Sequence, residues 1–248
     1  MVRTEYCYQH APGVSIPEER RTASVTDKPP KDTHHHKIVV YGRRDTPPPG
    51  YLLFNPTSKG ADPTYRRLSP FTLGPVEVEV LGKKYTSETM ENAWQYLKQY
   101  ACHREGPMTG PDGKKVDGTD LWLAWAKAGW ANPVAVRFPM GRGARPLFSR
   151  WKDEKLGYIP SRYKVYCPLY AKAVETYAAD VLNDLRAMYQ RGEKIALFDF
   201  DGYDYLKLGW TLSDVINCPT RKMGHAFVLA ALIESKDPST YPWNAECP

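Results

Sequence analysis

The spacing of apolar positions changes several times along the chain, and each change predicts an element. Residues 37–41 (KIVVY) form a short apolar run closed by Gly42 and then by Pro47, Pro48, Pro49 and Gly50, which predicts a strand. Residues 76–80 alternate valine with glutamate, the period of a half-exposed strand, and Leu81, Gly82 and Lys83 make its turn. At Thr89, a helix N-cap residue, the period becomes helical. Met90, Ala93, Trp94, Leu97 and Ala101 share one stripe, and Glu91, Gln95 and Lys98 form a polar row beside it. Helical spacing returns over 120–130, over 167–191 (ended by Gly192) and over 221–235, while 195–200 predicts a short buried strand turning at Asp201 and Gly202. Helices dominate, so the expected fold class is mainly α, multihelical, with a few short β-strands. Residues 109–119, rich in Gly, Pro, Asp and Lys, are expected to be an inserted loop.

Before residue 37 there is little apolar periodicity. Pro12, Pro17, Pro29 and Pro30 and the consecutive His34, His35 and His36 predict a mobile N-terminal arm over 1–36, leaving 37–248 as a single catalytic domain. Three adjacent histidines with no identifiable fourth ligand assign no metal site.

Composition then narrows the classes. The 248 residues are 42% hydrophobic and 25% charged, enough for a sizeable core, and no apolar run reaches the roughly 20 residues that span a bilayer. A signal peptide's apolar region is absent from the N-terminus, so an intracellular protein is expected, with no membrane partner. Five scattered cysteines without a C-x-x-C pair are read as free thiols. Between Arg137 and Lys164 eight basic side chains face only Asp153 and Glu154, a surplus equal to the whole formal net charge of +6. Such a stretch suits phosphates, on a nucleotide-like molecule or along a nucleic acid, and is equally what a solvated basic loop looks like.

The run from Thr89 to Lys98 (TMENAWQYLK) resembles the signature helix of the NADAR (YbiA-like) family, T-x-E-[HN]-A-[YW]-Q-x-x-K. Gly141-Arg142, Pro146-Leu147 and Trp151 are similar to that family's G-R-x-x-x-P-L-x-x-x-W element. The stretch from Arg191 to Asp204 resembles a further one, with Asp199 and Asp204 at its acidic positions, and 222–230 the closing helix. Departures fall at Leu68-Ser69-Pro70-Phe71, which lacks the family's Asn, at the residues after Asp204, and at Arg221 in place of a second Asn.

The resemblance implies an N-glycosidase cleaving the bond between ribose and a base, in a riboflavin-pathway intermediate or in ADP-ribosylated guanine. Glu91 would stabilise the positive charge that builds on the anomeric carbon or deprotonate the attacking water. Asp204 would orient sugar or water, Lys98 would tune Glu91 or meet a phosphate, Trp151 and Arg142 would hold base and phosphate, and Gln95 and Asp199 would contact substrate. No metal or cofactor is implied. The expected partner is a phosphorylated ribosyl or ADP-ribosyl substrate, with DNA or RNA carrying the modified base as a further possibility. The same residues would equally serve a module that binds ADP-ribose without turning it over.

One competing motif is rejected. Residues 197–202 (LFDFDG) also resemble the first motif of haloacid-dehalogenase phosphatases, but that fold needs a large doubly wound body afterwards, and only 47 residues follow Asp201. His225 on the closing helix is read as structural.

Overall fold

The computed structural model describes residues 36–110 and 112–244. The first half runs β1 (Ile38–Tyr41), β2 (Leu52–Phe54), α1 (Pro63–Arg66), β3 (Val76–Val80), β4 (Lys83–Ser87), α2 (Met90–Tyr96), β5 (Lys98–Gln99), β6 (Pro107–Thr109), β7 (Lys115–Asp117) and α3 (Gly118–Trp130). It continues with β8 (Phe148–Trp151), β9 (Glu154–Leu156), α4 (Tyr158–Ser161), α5 (Cys167–Tyr177), α6 (Ala179–Gln190), β10 (Ile195–Phe198), α7 (Leu212–Asn217) and α8 (His225–Glu234). Residues 1–35, and with them most of the N-terminal arm, His34 and His35, lie outside the described residues.

The expectation of a mainly α fold is corrected. At 39% helix and 18% strand this is a mixed α/β fold. Its strands gather, among the described residues, into four small sheets: β1-β10-β2, β3-β4, β5-β8-β9 and β6-β7. Strands of two or three residues are too short to establish a period of two, so five of the ten described strands leave no trace in the hydrophobic pattern. The predicted inserted loop is one such case, since Pro107–Thr109 and Lys115–Asp117 pair as an antiparallel hairpin.

The three-stranded sheet β1-β10-β2 is parallel throughout. β10 lies between β1 and β2, in register Ile38↔Ile195 and Ile195↔Leu52. β1 and β10 are apolar because both faces are covered, and Ile38, Val40, Ile195, Ala196 and Leu197 are buried to within 1% of complete, whereas Leu52 and Leu53 of the edge strand β2 are exposed. α8 packs on β1 and β10 and against α5 and α6, and every residue from His225 to Ile233 is buried. A helix buried all round carries almost no amphipathic signature.

Three helix boundaries differ from expectation. The predicted helix over 167–191 is two helices, broken where Ala178 adopts φ −142° and ψ 31°. No Gly or Pro marks the break; tertiary contacts hold it. Arg67 donates to the Tyr177 carbonyl at 3.2 Å and to Asp180 at 2.6 Å, and the Tyr177 hydroxyl donates to the Pro75 carbonyl at 2.5 Å. α2 ends at Tyr96, after which Lys98 and Gln99 pair with Ser149 and Phe148 as a strand and Ala101 is exposed. The closing helix starts at His225 rather than Arg221. No helix among the described residues is long and apolar enough to cross a membrane.

Candidate functional site

A parallel sheet brings the carboxyl ends of its strands to one edge, and the residues just past those ends share a crevice. Arg43 follows β1, Thr57, Ser58 and Lys59 follow β2, and Asp199, Phe200 and Asp201 follow β10; all line one cavity of about 460 Å³. The strand ends approach closely. A Cβ on Gly42 would lie 2.1 Å from the Gly202 carbonyl oxygen, so this crossing requires glycine.

α2 closes the cavity from the other side. Its N-cap, Thr89, accepts from the Asn92 amide at 3.1 Å, which places Glu91 in the first turn, where the helix dipole favours a carboxylate. The Gln95 amide donates to Glu91 Oε1 at 2.8 Å, and Lys98 Nζ donates to Gln95 Oε1 at 2.7 Å while lying 4.6 Å from the Trp94 ring centroid. The row read from the sequence is thus a hydrogen-bonded relay, although Lys98 has left the helix. Buried Asn92 acts behind it: its amide nitrogen donates to the Asn132 and Val134 carbonyls at 2.9 and 3.0 Å, and its oxygen accepts from the Val136 amide at 2.8 Å. Those bonds fix the loop that leads to Arg137, which lines the cavity.

A π-helical turn, Arg162–Tyr166, contributes Arg162 and Tyr166. The Arg162 guanidinium donates to the carbonyls of Val215, Ile216, Cys218 and Arg221, which caps α7 and secures the loop that delivers Lys222. Phe71, Trp94, Phe138, Tyr158, Tyr166 and Phe200 supply aromatic surface. Six cationic side chains (Arg43, Lys59, Lys98, Arg137, Arg162 and Lys222) face three carboxylates (Glu91, Asp199 and Asp201). Asp201 is shared by Arg137 at 2.5 Å and Lys222 at 3.8 Å, and Arg43 lies 4.6 Å from the Phe200 ring centroid. The balance favours an anionic ligand with a flat apolar part.

Several titrating groups of the cavity are shifted from their ordinary values. Burial lifts the Glu91 carboxyl above its usual range, against the Gln95 hydrogen bond and the charges of Lys98, Arg137 and His225. Burial pushes Lys98 down to about 8, with Glu91 opposing. Asp199 is held low: burial alone would raise it, but the charge and hydrogen bond of His225 and the backbone amides of Asp201 and Ala226 outweigh that cost. His225 is raised, since Asp199, the Pro56 carbonyl and Glu91 together overcome burial.

Of the residues singled out from the sequence, Glu91, Gln95, Lys98 and Asp199 meet in the cavity. Trp151 does not line it; it sits in β8 opposite Glu154, half-buried against the core. Arg142 is exposed, 5.5 Å from the Phe138 ring centroid, and also outside the lining. Asp204 accepts from the Lys207 amide at 3.2 Å and pairs with Lys207 Nζ at 3.2 Å, so Asp201 and not Asp204 is the second acidic side chain after β10 to reach the cavity. Sequence reading passed over Arg137, Asp201, His225, Trp94 and Asn92. Trp94 and Asn92 lie inside the motif that drew attention to Glu91, whereas Arg137 and His225 are brought in only by the fold. Among the described residues no three His, Cys, Asp or Glu side chains gather as metal ligands would. The phosphatase reading gains nothing, because no strand follows β10 among the described residues and Asp199 is engaged by His225.

No family model, curated protein or solved structure matches the chain.

Proposed function

We propose that this cavity is the active site of an N-glycosidase that hydrolyses the bond between ribose and a base in a phosphorylated or ADP-ribosylated substrate. The observation that carries the reading is Glu91: a buried carboxylate facing a cavity that holds both aromatic walls and an excess of cations. As the C–N bond breaks, the electron pair leaves with the base and the anomeric carbon becomes oxocarbenium-like. Glu91, its basicity increased by burial, takes a proton from the water whose oxygen bonds that carbon. Lys98, weakened to about 8 and one amide away from Glu91, supplies the proton that the departing nitrogen needs. Trp94, Tyr166 and Phe200 offer faces for the base, and Arg43, Lys59 and Lys222 offer charge for phosphates.

A nucleic-acid-borne substrate is supported by the neighbouring loop. Residues 132–152 contain no acidic side chain, Arg142, Arg145, Phe138 and Leu147 are exposed, and Phe138 is also part of the cavity wall. A strand entering the cavity would lay its flanking phosphates along this loop, and binding would then weaken steeply with salt.

The test is a mass-spectrometric assay of the full chain and of Glu91→Gln, with DNA carrying ADP-ribosylated guanine and with free ribosylated pyrimidines. Release of base or ADP-ribose by the native protein and not by the variant supports the glycosidase and names its substrate class. Stoichiometric binding without release by either overturns it in favour of a binding module.

A further inference from the structure

His225 opens α8, and its buried ring joins the ends of two of the three parallel strands. Nδ1 lies 2.9 Å from Asp199 Oδ2, beyond β10, and Nε2 lies 3.1 Å from the Pro56 carbonyl oxygen, beyond β2. Each partner limits where protons can be. A carbonyl oxygen only accepts, so Nε2 carries a hydrogen. Asp199 already accepts from the Asp201 amide on Oδ1 at 2.9 Å and from the Ala226 amide on Oδ2 at 3.1 Å. Two backbone N–H donors stabilise the ionised carboxylate, and across the Nδ1–Oδ2 contact the imidazole is the stronger base, so Asp199 is an acceptor on both oxygens and Nδ1 carries a hydrogen as well.

We infer that His225 is held as an imidazolium at the inner wall of the cavity, a positioning residue that ties the loop after β2 to the end of β10 and sets a fixed positive charge in the wall that Glu91 also lines. This rests on the reading of Glu91 as the reacting carboxylate. Several groups decide the charge of the ring. Burial and the positive end of α8 oppose the cation. Asp199 and Glu91 favour it, and Tyr170 of α5 meets the ring edge-on, with centroids 5.7 Å apart. The packing allows no substitute geometry: a Cβ on Gly224 would fall 2.2 Å from Asp199 Oδ2, so glycine is what lets the carboxylate reach both the ring and the helix. Because both ring nitrogens are committed to donation, His225 cannot be the general base, and that role is left to Glu91.

The first arm of the test reads the protonation of the native full chain by long-range proton–nitrogen correlation spectroscopy of labelled histidine against pH. His225 is assigned by the loss of its signal in His225→Gln, or by through-bond correlation if that variant does not fold. Both ring nitrogens are expected to stay protonated as pH rises past about 6.5, where ordinary imidazoles lose a proton. A single protonated nitrogen at neutral pH would overturn the inference. The second arm is the pH profile of base release in His225→Gln. A fall in kcat of about tenfold with KM little changed, and an acid limb displaced to higher pH, is expected from a Glu91 that has lost a favourable charge. An acid limb that stays in place would mean the ring is only structural. If no substrate is turned over at all, the first arm still decides the state of His225, so the two readings fail separately.

Discussion

α2 with the start of β5, and the stretch 137–151 that runs through a loop into β8, both carry residues that the sequence singled out, yet only the first delivers its whole set to the cavity. On α2 the backbone fixes direction: a capped helix starting at Thr89 aims Glu91 and Gln95 the same way, and a two-bond relay holds Lys98 to them. Along 137–151, direction depends on what each side chain meets. Arg137 turns in to Asp201 at 2.5 Å, Arg150 is buried between Gln99 at 2.6 Å and Glu105 at 2.6 Å, and Arg142 stays outside. The motif on the helix therefore marked residues that line the cavity, and the Gly-Arg/Pro-Leu/Trp motif over 141–151 did not. Arginines alike in sequence end as a cavity wall, a structural strut and a surface charge.

The sharpest way to break that contrast is to disturb what sits behind the cavity. Gly224→Ala should cost about 3 kcal/mol of unfolding free energy and abolish ligand binding, because the new methyl must displace the Asp199 carboxylate from its buried partner. Denaturant midpoints and calorimetric titration would show it, and an unaltered midpoint would contradict the packing described here. Asn92→Ala should cost about 2 kcal/mol, since it strips three hydrogen bonds from the approach to Arg137. Its affinity for a phosphorylated ligand should fall in parallel; affinity retained would mean that Arg137 does not depend on Asn92.

Stability against pH sharpens the comparison further. The folded-state pKa of His225 is raised, so its contribution is full below about 6.5 and is lost as pH climbs through the raised value. Asp199 is depressed, so its contribution is present above about 3.9 and is lost as pH falls through the lowered value. The pair should stabilise most between those limits, and His225→Gln should flatten the curve on its alkaline side. A native curve with no alkaline decline beyond that of the variant would argue against the ion pair. The smallest effect is expected in the loop: Arg142→Ala should change turnover of a free nucleotide less than about twofold, while lowering the salt dependence of nucleic-acid binding by about one unit of slope.

The strands at 38–41, 76–80 and 195–198 were legible because apolar runs or strict alternation mark them, and so was α3 from its spacing. What escaped is of two physical kinds. Strands such as Lys98–Gln99 exist because a partner strand is present, not because their own residues demand it. The break at Ala178 is likewise imposed from outside, by Arg67 and Pro75, on residues that would otherwise continue a helix. In the site, Glu91, Gln95, Lys98 and Asp199 could be read locally. His225 could not, since its significance lies in a carbonyl at residue 56 and a carboxylate at residue 199 that only the parallel sheet brings together.

The proposed chemistry lies in the cavity at the strand ends and not in the basic loop beside it. Base release from one ribosylated substrate by the native chain, Glu91→Gln and Arg142→Ala, measured side by side, tests it most directly. A loss of at least about a thousandfold is expected in Glu91→Gln, with near-native release in Arg142→Ala. Near-native release by Glu91→Gln, or a collapse in Arg142→Ala with a free nucleotide substrate, would contradict it.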